Sequence, residues 1–519
     1  MKSIFIYSFL LVFLLFSQLS AQEKKQIDYN AEIMEYDESI NKDAMRLKGN
    51  VVFSHEGALM YCDSADFYSK QNSLEAYGSI HLNQGDSIDL YGDYLSYNGN
   101  TRFAMVRYNV KLTQDSAYLL TDSLNYDRNI NMAHYFDYGK LVDSVNVLTS
   151  RQGFYYTDKR DFYAVDSVVL VNPDYTMHCD SLKYNVNSEI AYFFGPTEII
   201  SDTNYIYCEN GWYNTKTDIA QFNQNAYLEN NKQRLSGDSL YYERHKNGGH
   251  GFGEAFQNVE LTDTVDKVTL RGHYAYYYEN PERSMLVDSA YCIYVMEGDS
   301  LFFHADTIRS FHDTAGDYKI MKAYYQAKLY KSDFQGKCDS LIYTFQDSVA
   351  KLFYDPVLWS EDNQITADFI EIHTKNGRID FALMNLNSMI VSQEDTIRFN
   401  QIKGNNMVGY FRNDSLYKID VKGAGETIYY PKDDEGLVGA NKATGSNMLI
   451  FMGDSEVDEI ILKDSPEGTM NPVNHLPPSQ LKLGGFQWLI EHRPLEWQDI
   501  FIWKEDSVEV KDPSIQKEK

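Results

Sequence analysis

A six-residue motif returns along this chain about every 29 residues, and such a period requires similar units stacked on one another. Its clearest copy is Gly237-Asp238-Ser239-Leu240-Tyr241-Tyr242, and the Asp238 position recurs at Asp63, Asp93, Asp122, Gln152, Asp180 and Glu209. The 175 residues from Asp63 to Asp238 hold six such intervals. Units of this kind share one continuous core and build a long surface. The functional question is therefore what the surface is for.

Two residues after the acidic position comes an apolar residue, and two after that an aromatic: Leu124 and Tyr126, Leu182 and Tyr184, Leu240 and Tyr242. Other copies read Ala65 and Phe67, Leu95 and Tyr97, Phe154 and Tyr156. Residues two apart share one face of a strand. Turn chemistry follows at Asn98-Gly99-Asn100, Asp127-Arg128-Asn129 and Lys246-Asn247-Gly248-Gly249, where positive φ is tolerated. Eleven residues after the acidic position an alanine recurs, at Ala104, Ala133, Ala191 and Ala220, opening a second alternating strand such as Val110-Lys111-Leu112 or Ala226-Tyr227-Leu228. One unit is thus two short strands and two turns, and the fold class is all-β. Looser copies lie at His273–Tyr277, Asp299–Phe303, Cys338–Tyr343 and Asp414–Tyr417, with a seam expected within 250–310.

Residues 1–21 read as a secretory signal peptide: Lys2, an apolar run from Ile4 to Phe16, and small residues up to Ala21. The rest divides into 22–270 with regular repeats, 271–464 with looser ones, and 465–519. That last segment holds six of the 11 prolines and three of the five tryptophans (Trp488, Trp497, Trp503), the composition of an extended arm packed on a neighbour. A net charge of −28 argues against nucleic acid as a partner, because phosphates are repelled.

Of the five cysteines, Cys62, Cys179, Cys208 and Cys338 directly precede the acidic position. Cys179 and Cys208 sit in consecutive units, close enough for a disulfide, although the register also suits any small, partly buried residue. The histidines lack metal-ligand spacing, and no catalytic or phosphate-cradling motif occurs, so no enzyme activity, metal or cofactor is expected. The acidic ladder of Asp63, Asp93, Asp122, Asp180 and Asp238 has two readings, a divalent-cation site or side chains capping turns. Asp-Ser also occurs off-register, at Asp143, Asp166 and Asp288, which favours turns.

Leu47-Lys48-Gly49-Asn50-Val51-Val52-Phe53, with Ala58-Leu59-Met60 and the Asp63 strand, resembles the opening repeat of the OstA-like (LptA) family. Asn225-Ala226-Tyr227-Leu228 followed by Leu235–Tyr242 resembles a later repeat. That family includes a periplasmic bridge protein and the N-terminal domain of the outer-membrane translocon LptD; this chain is similar to a long form, of the Bacteroidetes type. The resemblance implies an elongated V-shaped β-jellyroll (β-taco), an apolar groove for the acyl chains of lipopolysaccharide, and edge strands that stack on other transport components, including the translocon.

Carried over residue by residue, the lipid-facing parity falls on Ala65, Phe67, Leu95, Tyr97, Leu124, Tyr126, Phe154, Tyr156, Leu182, Tyr184, Val186, Leu240 and Tyr242, and near the N-terminus on Ile27 and Tyr29. A tyrosine there offers an apolar ring and a hydroxyl for a headgroup or water. The expectation is a periplasmic, lipopolysaccharide-binding bridge. The alternative is an exported, non-catalytic β-solenoid with a closed core and a structural or adhesive role.

Overall fold

Alternating side chains and turn residues at every unit boundary produce antiparallel strands throughout. The computed structural model describes residues 25–36, 43–85, 88–143, 145–244, 251–265, 267–278, 280–295, 299–313, 318–375, 377–413, 415–434, 436–453, 456–473, 477 and 480–504. The expected signal peptide, the turn at 246–249 and the last fifteen residues lie outside them. Two compact units form: an N-terminal unit of residues 1–202 with 210–216, and a C-terminal unit of 203–209 with 217–519.

In the N-terminal unit the strands Met45–His55, Ala58–Tyr68, Ser73–Gln84, Ile88–Asn98, Phe103–Gln114 and Ala117–Asp127 pair each with the next. The meander continues through two interrupted strands, Met132–Tyr135 with Gly139–Asp143 and Asn146–Ser150 with Gln152–Tyr156. It ends on Asp161–Asn172, Tyr175–Asn185 and Ile190–Ile200. Each full strand is thus 11 or 12 residues long, twice what two short strands per unit would suggest.

The extra length is divided by a corner. Ladders break register at mid-strand, between Lys48 and Val51, Tyr77 and Ile80, and Arg107 and Val110. Consecutive residues there take positive φ: Gly49 and Asn50, Gly78 and Ser79, Tyr108 and Asn109, Asp166 and Ser167. Asn and Asp tolerate this region, and such a bulge bends its strand. The acidic position of the motif sits opposite: Ser79 Oγ donates to Asp63 at 3.0 Å and Asn109 Nδ2 to Asp93 at 2.6 Å. In the C-terminal unit Asn225 bonds Glu209 and Asn258 bonds Asp238 in the same way. The recurrent acid therefore holds a mid-strand corner on the neighbouring strand, a correction to its placement at a turn.

The aromatic and alanine signals are one packing rule. Directly paired residues form the inward row Phe67, Leu74, Tyr97, Ala104, Tyr126, Ala133, Tyr155, Phe162, Tyr184 and Ala191, none more than 4% exposed. Ala104 and Ala133 each lie between two large rings, because a second ring would not fit.

The C-terminal unit repeats the meander from Ile219–Glu229 and Gln233–Glu243 to Ala440–Gly453, Glu456–Lys463 and Glu467–Asn471. Its corners include Gln224 with Asn225, Tyr325 with Gln326, and Leu386 with Asn387. The arm then lies along the outer face of this unit. Gln401 donates to the Leu481 carbonyl and accepts from the Leu483 N–H, both at 2.8 Å. Gln364 does the same six residues on, to Gln487 O at 2.9 Å and from Leu489 N at 2.7 Å, and Gln335 accepts from Arg493 Nε at 2.7 Å. Trp488 packs on Phe399, and Trp497 on Phe302 and Tyr291. Met389, Val391, Ile428 and Tyr430 close over with Leu481 and Leu483 as a buried cluster.

Candidate functional site

Beyond each corner runs a second inward row. In the N-terminal unit it is Phe53, Met60, Leu82, Leu90, Leu112, Leu119, Leu141, Leu148, Leu170 and Met177, directly paired strand to strand and again at most 4% exposed. Its interior is filled by its own side chains. Each such leucine contributes about 1.5–3 kcal/mol on burial.

The homologous row in the C-terminal unit behaves differently along its length. Leu228, Leu235, Leu261, Leu270 and Cys292 follow one another in register, and every one of them is partly exposed. From Phe303 onward the row closes, through Leu329, Leu358, Ile365 and Ile390. Val268, Tyr294 and Leu301 pair beside the open stretch and are half-buried too. The first inward row opens over the same strands: Tyr242 is half-buried and Tyr277 is 43% exposed. An inward, contiguous apolar surface reached by solvent is a surface for an apolar ligand.

The N-terminal unit is closed by a line of hydroxyl contacts between opposite strand ends. Tyr97 Oη meets His55 Nδ1 at 2.8 Å, Tyr155 donates to Gln114 at 2.6 Å, and Tyr184 donates to Asp143 at 3.0 Å. The separations are 42, 41 and 41 residues, so these three tyrosines reach the strand end about one and a half units earlier. Arg102 reinforces the line on Glu56, Arg128 on Tyr97 Oη, and Arg160 on Asp115. Here these hydroxyls serve the protein's own latch. Burial pushes the Tyr155 phenol up to about 12, so it stays a donor at neutral pH.

The sequence-derived positions divide accordingly. Ala65, Phe67, Leu95, Tyr97, Leu124, Tyr126, Leu182 and Tyr184 face inward within the filled N-terminal interior. Leu240 is inward at 5% exposure and leads to Tyr242 at the open stretch. Val186 is half-buried at the end of the tyrosine line. Ile27 is buried, its N–H bonded to Asn72, and Tyr29 is 36% exposed on an edge strand. Phe154 and Tyr156 correct the parity. Phe154 pairs with His134 and Tyr163, whereas Tyr155 pairs with Ala133 and Phe162, so Tyr155 takes the inward place. The motif position of this unit is Arg151, 29 residues after Asp122 and 29 before Asp180, and Tyr155 follows it by four as Tyr126 follows Asp122.

The open row lies outside the motif half of each unit, which carries the sequence-derived positions. The signal was present in the second half, where an aliphatic residue follows the recurrent alanine by eight, as Leu112 follows Ala104 and Leu228 follows Ala220. All five cysteines are free thiols, Cys179 and Cys208 included. Burial pushes the Cys292 thiol up to about 12, so it acts as an apolar member of the row. Among the described residues no group of three or more His, Cys, Asp or Glu could hold a metal ion.

Bent strands with acid-held corners and two inward apolar rows define a class of folded β-meander with an apolar interior. Residues 24–180 and 177–238 match the family of OstA-like proteins. Among solved structures, one similar chain is LptH of Pseudomonas aeruginosa, described as the LptA homologous periplasmic component of its lipopolysaccharide transport device. It is 10% identical, with 33% of this chain and 84% of that chain covered, and at a TM-score of 0.11 the likeness carries no argument. Curated proteins gave no match.

Proposed function

We propose that this protein shields lipid acyl chains, those of lipopolysaccharide, on the inner rows of its bent strands during transport to the outer membrane, without catalysing a reaction. One observation carries the proposal: the inward row, filled by its own side chains elsewhere, is open from Leu228 to Cys292. An acyl chain laid there gains about 0.8 kcal/mol per buried CH₂. The match of residues 24–238 to the OstA-like family supports the same reading.

The site of action is the periplasm, reached by the signal peptide. Partners are other transport components, stacked by edge strands. The short strands Asp28–Asn30 and Ile33–Glu35 pair with Met45–His55 and expose Ile33 and Met34 at 51% and 60%, an apolar edge for docking. At the arm the tryptophan rings are engaged internally, so Leu495 and Ile502, 76% and 51% exposed, form the face for the outer-membrane translocon. The filled interior of the N-terminal unit favours the closed-solenoid alternative for that unit alone.

The test is in-cell photo-crosslinking with a probe amino acid at Leu270 and, separately, at Thr269, which faces the opposite side. A lipopolysaccharide adduct at Leu270 and none at Thr269 supports the reading. A folded, exported protein with no lipid adduct at Leu270 overturns it. An adduct at Leu182 as well would show that the tyrosine line opens during transport.

A further inference from the structure

The line of contacts that closes the N-terminal unit has a gap. Between the Tyr155–Gln114 and Tyr184–Asp143 bonds lies a cavity of about 220 Å³, lined among others by Asn146, Arg160 and Glu189. At roughly 30 Å³ per water it holds about seven waters, the space of one sugar ring or aminoalcohol. Its floor narrows to a slot of only about 10 Å³ between Leu141, Leu148, Leu170 and Leu182, which are members of the inward rows. A polar cup thus stands directly above apolar packing.

The chemistry of the cup is specific. Asp143 is 8% exposed, and one of its oxygens accepts from Tyr184. Among the described residues no cation pairs with it, and its second oxygen has no partner. Asn146 is 7% exposed; its oxygen accepts from Asn172 at 2.9 Å, while its amide nitrogen has no partner among the described residues. Arg160 is already paired with Asp115, and Glu189 lies 4.0 Å from Lys216. A buried carboxylate without a counter-charge is costly unless something neutralises it. The lining is net negative, so a phosphate is repelled, and phenol, carboxamide and carboxylate groups suit hydroxyls beside an ammonium.

We propose that this cup binds a protonated primary amine flanked by hydroxyls, of the amino-sugar or aminoalcohol class, with the ammonium on Asp143. The proposal deepens the transport reading and rests on it for the source of the amine, a lipid headgroup.

The test uses the purified mature chain at pH 7 and isothermal titration with four probes: octyl glucosaminide, octyl glucoside, octyl phosphate and free glucosamine. The expected order places octyl glucosaminide at least tenfold tighter than octyl glucoside, with no measurable binding of octyl phosphate. Asp143→Asn removes that tenfold preference. If this variant unfolds, the probe order on the wild-type chain decides. Equal binding of phosphate and amine, or an amine preference unaltered in a folded Asp143→Asn protein, overturns the proposal. Tighter binding of octyl glucosaminide than of free glucosamine assigns a lipid headgroup; equal binding assigns a free amino sugar and overturns the headgroup source. Lipid adducts at Leu270 are a separate readout, so failure of either idea leaves the other distinguishable.

Discussion

A carboxylate placed on the same inward row should have opposite consequences in the two units. Leu112 is 2% exposed between Leu90 and Leu119, whereas Leu270 is partly exposed between Leu261 and Cys292. Leu112→Asp loses about 1.5–3 kcal/mol of leucine burial. It also leaves an uncompensated buried charge, worth about 3–5 kcal/mol. The combined cost rivals a typical domain stability of about 5–15 kcal/mol. Leu270→Asp loses only part of the transfer term, because the carboxylate reaches water, and should cost about 1–2 kcal/mol. Thermal unfolding by circular dichroism measures both. Expected is a misfolded or strongly destabilised Leu112→Asp protein, and a folded Leu270→Asp protein that loses lipid adducts from a probe at Leu261. If Leu270→Asp unfolds as Leu112→Asp does, the row is closed throughout and the groove argument fails.

Ala104→Leu should destabilise by about 1–3 kcal/mol through overpacking between Tyr97 and Tyr126, and a denaturation midpoint unchanged from wild type would refute the ring–alanine rule. Gly195 has φ of +81°, and an added Cβ would come within 2.6 Å of Asp180, so Gly195→Ala should cost about 1–3 kcal/mol by the same assay. Gln364→Leu strands the Gln487 carbonyl and the Leu489 N–H, about 1–3 kcal/mol each, and should speed proteolysis within 480–504 while the N-terminal unit stays protected. Lys328, buried under the arm beside Lys337, is pushed down to about 8, chiefly by desolvation. The unfolded chain then binds more protons than the folded one between about pH 8 and 10.4, so stability rises with pH across that window. Lys328→Met should remove this gain, and equal slopes for both proteins between pH 8 and 10 would disprove it.

The period, the strand alternation and the turn residues made the all-β architecture legible before any coordinates, because each is a local property of the chain. The aromatic at the fourth place after the acid and the alanine at the eleventh were both visible. Their connection was not, since Ala104 and its two tyrosine neighbours meet only across strands. The corner was missed for a related reason. Asn109 and Asp93 are 16 residues apart, and neither reads as a bend until the strands pair. Phe154 and Tyr156 fall on the wrong face because Arg151, not Gln152, holds the acid's place in this unit, a role that shows only when it meets Asp166 across the corner.

Which residues point inward was largely written in the sequence, because side-chain direction follows from strand parity alone. Whether an inward residue is filled over or left open was decided by the tertiary structure. Leu112 and Leu270 are the same residue type at corresponding places, yet one is sealed and the other is not. Exposure depends on what the neighbouring strands and the opposite strand ends bring over each position, and the tyrosine line that seals the N-terminal unit joins residues about 41 apart. Local pattern fixes direction; only the folding of distant strand ends toward one another fixes access.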